Sequence, residues 1–181
     1  MTSTRRRVTT LATLATVVTT ALAGCGSDDN SQASDDPVIV EVTALDYAYA
    51  GLPGHVTAGT EFRLVNDSEL EAHEFVAVRL GDDETREVAE LMTLPPEEFG
   101  ALLAGVDTVI VAPPGAPGMV VEGTGVLTEP GRYAIVCVIP TGADPDEYLA
   151  AAAAAEDGPP EVEGSPPHIA EGMFAELTVT G

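Results

Sequence analysis

The run Leu127-Thr-Glu-Pro-Gly-Arg-Tyr133-Ala-Ile-Val-Cys137-Val138 carries the information from which the fold is read. Pro130 and Gly131 supply a turn, because proline fixes φ and glycine reaches backbone conformations closed to other residues. The residues that follow are mostly aromatic, β-branched or small, a composition suited to a pleated, half-buried surface, and they predict a strand from Arg132 to Ile139. A tyrosine placed just after such a turn resembles the tyrosine corner of Greek-key sandwiches, where the phenol bonds back to the turn's backbone.

The same alternation of short β-rich runs with Gly and Pro turns continues in both directions. It predicts further strands at Val38 to Tyr49, Glu61 to Val65, Glu74 to Leu80, Thr108 to Val111, Met119 to Leu127 and Met173 to Thr180. Together they define an all-β class and a Greek-key β-sandwich. Two segments break the pattern. Glu84 to Ala104 has apolar residues at helical spacing (Val88, Leu91, Met92, then Phe99, Leu102, Leu103) around Pro95-Pro96, which predicts two short helices stopped at Gly105. Asp144 to Glu156 predicts a third helix, with Asp144 as N-cap, Pro145 in the first turn, Glu147 completing a capping box, and Gly158, Pro159 and Pro160 ending it.

With 181 residues the chain holds one domain, 38–181, and attachments. Arg5, Arg6 and Arg7 precede an apolar stretch from Val8 to Ala23 that ends in Leu22-Ala23-Gly24-Cys25, the layout of a secretory signal at 1–24. Its last four residues resemble a bacterial lipobox, which implies a lipidated Cys25 and a protein anchored on the outer face of the cell membrane. The stretch is short and threonine-rich for an uncleaved membrane span, and the adjacent arginines leave open both general and twin-arginine export. Residues 25–37 are small, polar and acidic, a flexible linker.

Thirty acidic residues face seven arginines and no lysine, giving a formal net charge of -23. That balance repels phosphate backbones and excludes nucleic acid, and it suits a partner with a basic patch or a salty milieu.

If Cys25 is spent on lipid, Cys137 is a lone thiol in an exported domain, either an inert buried side chain or a metal ligand. Downstream lie Pro167-His168, four residues, Met173, and a last alternating strand; upstream, Leu64-Val65-Asn66 leads to His73 ahead of the run Glu74 to Leu80. These segments resemble the plastocyanin-like cupredoxins, the type 1 blue copper proteins. The resemblance implies one type 1 copper ion held by His73, Cys137, His168 and Met173, with Asn66 and Glu74 bracing the ligand loops. A thiolate and two imidazoles make a trigonal copper site, and a weak axial thioether tunes its potential. His55 fits no ligand position and reads as a turn or surface residue. The chain departs from the family in the long separation of Cys137 from His168, and in Glu74, where relatives usually carry Asn.

The resemblance implies an electron carrier rather than an enzyme, monomeric, membrane-held through its lipid and working with redox proteins. Copper delivery, storage or sensing is the alternative, and a metal-free binding module with Cys137 merely buried is another. With three histidines in the whole chain, a multicopper oxidase is excluded.

Overall fold

The computed structural model describes residues 37–155, 160 and 162–181. The signal, Cys25 and nearly all of the linker lie outside the described residues, as do Gly158 and Pro159. Among the described residues ten strands form two sheets: β1 (Ile39–Leu45), β2 (Ala48–Ala50), β3 (His55–Thr57), β4 (Thr60–Asn66), β5 (His73–Arg79), β6 (Val106–Ala112), β7 (Met119–Glu122), β8 (Val126–Leu127), β9 (Gly131–Val136) and β10 (Phe174–Thr180). The smaller sheet runs β2-β1-β4-β8 and the larger β3-β10-β9-β5-β6-β7. Pairing is antiparallel except for β1 with β4 and β3 with β10.

Two of the expected strands are each split in two by a local backbone feature, and one short strand is added. Val38 to Tyr49 is two strands, because Tyr47 adopts φ 61 and reverses the chain so that Leu45 pairs with Ala48. Met119 to Leu127 is also two, broken by Gly123 (φ 70) and Gly125 (φ 76). Its first half joins β6 in the larger sheet and its second half joins β4 in the smaller. The added strand is β3, a short edge strand on which His55, expected in a turn or at the surface, is exposed.

Between the sheets, Phe62 stacks on Phe75 at 5.1 Å among buried Val42, Leu64, Ile110, Ile135 and Leu177. The outer face of the larger sheet is buried as well, which is why β5 lacks alternation: Val76 and Val78 pack with Ala134 and Val136 against Val88 and Leu91. Val88 and Leu91 lie on helix α1 (Val88–Leu91), which precedes α2 (Pro96–Leu103), so the predicted insertion covers the sheet. Each large side chain buried there contributes roughly 1.5–3 kcal/mol. Arg132 ties the insertion down by donating to the Glu84 and Arg86 carbonyls while forking onto Glu176.

Helix α3 (Pro145–Ala154) starts where predicted, with the Asp144 carboxylate accepting the Asp146 and Glu147 amides. Glu147 makes no return bond; the reciprocal bond is found instead at α1, where the Glu90 carboxylate accepts the Glu87 amide. Tyr133 forms the expected corner, its hydroxyl donating to the Glu129 carbonyl at 2.9 Å and to Asp107 at 3.1 Å. Among the described residues no helix is long and apolar enough to cross a membrane.

Candidate metal centre

Strands β5, β9 and β10 lie side by side, and their register brings three of the sequence-selected residues to one end of the larger sheet. His73 opens β5, Cys137 follows the last residue of β9, and Met173 precedes β10. The Cys137 amide donates to the Met173 carbonyl at 3.2 Å, and the Met173 amide to the His168 carbonyl at 3.0 Å.

His168 reaches the same place although it lies 31 residues beyond Cys137. The two ends of the insert zip together before it opens out: His168 N–H donates to the Ile139 carbonyl at 2.9 Å, Thr141 N–H to Pro166 at 2.9 Å, and Ser165 N–H to Thr141 at 3.3 Å. Gly164, at φ 139, passes so close to this neck that a Cβ would stand 2.7 Å from the Pro140 side chain. Because the neck closes the loop, the intervening helix adds no slack to the ligand spacing.

The donors converge. His73 Nδ1 is 3.2 Å from His168 Nδ1, Cys137 Sγ is 3.2 Å from that same nitrogen, and all three side chains are fully buried. Burial foremost, with His168 beside it, lowers the His73 pKa to about 4, so its imidazole is neutral at pH 7 with a lone pair free. His168 is lowered too by burial, which the Glu71 carboxylate opposes. Burial, then Glu74, pushes the Cys137 thiol up, against the Glu74 amide that donates to the sulfur at 3.4 Å. A bound cation reverses that preference and draws out the thiolate. On each imidazole Nδ1 faces the other donors while Nε2 has no hydrogen-bond partner. Soft sulfur with two imidazole nitrogens is a donor set that fits copper.

The bracing residues behave as two separate devices. Asn66 touches no donor; its amide donates to the Glu71 and Ala112 carbonyls and its oxygen accepts the Ser68 amide, which shapes the loop leading to His73. Glu74 is buried, accepts the Val138 amide at 2.8 Å and the Tyr148 hydroxyl at 2.9 Å, and its pKa is pushed up to about 7 by burial, a rise those two bonds hold back. His55, exposed in β3, is not among the converging donors.

Sequence reasoning missed Tyr47, Glu71 and Tyr148. Tyr47 sets its ring edge-on to both imidazoles, 6.4 Å from His73 and 5.0 Å from His168 between centroids. Glu71 lies 3.7 Å from His168 Nε2 and caps the Gly142 amide at 3.2 Å. A lone tyrosine in an otherwise alanine-rich helix was a usable signal for Tyr148; nothing in the sequence marked the other two.

A two-sheet sandwich holding a buried His-Cys-His group at one end is the class that fold and site define. Among solved structures the chain is similar to a dithionite-reduced auracyanin from the photosynthetic bacterium Roseiflexus castenholzii, at 20% identity over 80% of this chain and 98% of that one, with a TM-score of 0.45. It is also similar to auracyanin B (22% identity, 81% and 92% covered, TM-score 0.44). A third is auracyanin A, described as a "blue" copper protein of Chloroflexus aurantiacus (17%, 80% and 100%, TM-score 0.44). No family model and no curated protein sequence matches the chain.

Proposed function

We propose that this chain is a cupredoxin that passes single electrons through one type 1 copper ion, tethered outside the cell membrane by lipid on Cys25. The observation that carries the reading is the convergence of His73 Nδ1, Cys137 Sγ and His168 Nδ1 in a site closed to solvent. These three would hold the ion, and Met173, buried and bonded through its backbone to Cys137 and His168, would offer its thioether as a fourth, weaker donor. When bound, copper supplies a one-electron couple. The protein contributes a rigid frame: donors fixed by strand ends and a zipped neck keep their places as the charge changes, which keeps reorganisation small. A site filled by four protein donors leaves no position for substrate, in keeping with a carrier rather than an enzyme.

The redox partner should be cationic, because each described arginine (Arg63, Arg79, Arg86, Arg132) is already paired with a carboxylate of the same chain. The alternative, copper delivery, storage or sensing, predicts metal exchange faster than electron exchange.

The test is the visible and electron paramagnetic resonance spectra of the Cu(II)-loaded protein. An intense thiolate-to-copper band with narrow hyperfine splitting, lost in Cys137→Ser and altered in His168→Ala and Met173→Leu, is expected. A colourless protein, or spectra indifferent to Cys137→Ser and His168→Ala, overturns the reading.

A further inference from the structure

The inserted helix α3 is an addition that the donor geometry does not require, since the neck alone returns His168 to the site. Yet one side chain of that helix reaches back into it. Tyr148 is 1% exposed and its hydroxyl donates to Glu74 Oε2 at 2.9 Å, across 74 residues of chain. The other oxygen, Oε1, accepts the amide of Val138, the residue after Cys137. The amide of Glu74 itself points at Cys137 Sγ. Glu74 thus grips the cysteine twice, once at the sulfur and once at the following peptide.

The grip on the following peptide depends on the carboxylate staying where it is. A buried carboxylate oxygen without a donor is costly, and among the described residues Tyr148 is the donor to Oε2. Beside it lies a groove lined by Val76, Val109, Val138 and Ala152, which leaves the carboxylate room to turn away if the hydroxyl is removed. Helix packing alone does not explain the arrangement, since a phenylalanine would fill the same space.

We propose that Tyr148 is a positioning residue for the cysteine ligand, acting through Glu74, so that the insert latches the thiolate side of the site. Its consequence for the metal rests on the copper reading above; its consequence for the cysteine does not.

The experiment uses the full chain with Cys25→Ser, which leaves Cys137 as its one thiol. In the metal-free protein the rate at which Cys137 reacts with an aromatic disulfide reagent reports opening of the site. Tyr148→Phe, with unchanged circular dichroism, is expected to raise that rate by about tenfold or more. In a Glu74→Ala background the same substitution should add little, because the two residues act in series. In the copper-loaded protein, Tyr148→Phe is expected to shift the thiolate-to-copper band and speed loss of the ion to a chelator. An unchanged thiol rate and an unchanged band overturn the proposal, as does a Tyr148→Phe effect that persists in full without Glu74. If the parent shows no copper band while Tyr148→Phe still frees the thiol, the latch stands and the copper reading falls.

Discussion

Tyr47 lies edge-on against His168, ring centroids 5.0 Å apart and planes at 70°, and it does so from a left-handed backbone at φ 61. The ring is half-buried while the imidazole it lies against is completely covered, so the tyrosine is part of what separates His168 from solvent. A non-glycine residue held at positive φ costs on the order of 1 kcal/mol and persists where the surroundings enforce it. Tyr47→Gly is expected to relieve the backbone, uncover His168 and speed reduction of the Cu(II) protein by a small cationic outer-sphere reagent several-fold in stopped-flow measurements. A slower reaction would mean that the ring conducts rather than shields.

The tyrosine corner yields a stability prediction. Tyr133→Phe removes the one hydroxyl proton that the Glu129 carbonyl and the Asp107 carboxylate share, and it should cost roughly 1–3 kcal/mol in chemical denaturation.

The same hydroxyl gives a pH dependence. Burial first, then the Asp107 charge, pushes the Tyr133 pKa from 10.0 up to about 12. The folded state therefore holds this proton more tightly than the unfolded chain does. The resulting stability is fully present below pH about 10 and is lost as pH rises through about 12. The alkaline decline should be displaced in Tyr133→Phe, measured as midpoint against pH.

Arg132 makes a different kind of contribution. Its pairing with Glu176 is half-exposed and worth about 0–1 kcal/mol, but its bonds to the Glu84 and Arg86 carbonyls dock the segment that leads into α1. Arg132→Ala should leave the thermal midpoint within a few degrees while raising hydrogen exchange locally around residues 84–91. A uniform rise across the sheets would contradict local docking.

Two glycines of the neck separate strain from collision. Gly142 (φ 77) has open space where a Cβ would go, whereas at Gly164 (φ 139) the Cβ would meet the Pro140 side chain at 2.7 Å and the Thr141 carbonyl at 2.9 Å. Gly142→Ala should cost about 1 kcal/mol. Gly164→Ala should cost more and weaken copper retention against a chelator, because it forces apart the strands that seat His168.

How far the sequence could be read depended on the range of the forces involved. Tyr133, the two helical insertions and the cap at Asp144 were legible because turn chemistry and capping act over a few residues. The converging donors were legible through a resemblance that tied Cys137, His168 and His73 into one pattern. Tyr47 was not, since its φ is imposed by packing rather than by residue preference. The split of Met119 to Leu127 turned on glycines whose neighbours are set only by the folded sheets, since a Cβ added at Gly123 would collide with the Asp107 carbonyl. The Glu74 to Tyr148 contact joins residues 74 apart, a separation that no local pattern encodes.

The zipped neck makes helix α3 a side branch of the chain rather than part of the ring that encircles the donors. Such a branch is a cassette: it can lengthen, shorten or be exchanged over generations while the frame holding His168 stays fixed. Excising it and joining its ends with a short turn would forfeit the Tyr148 contact and little else at the donors, which makes this point of the fold a natural port for adding recognition elements beside the donor cluster.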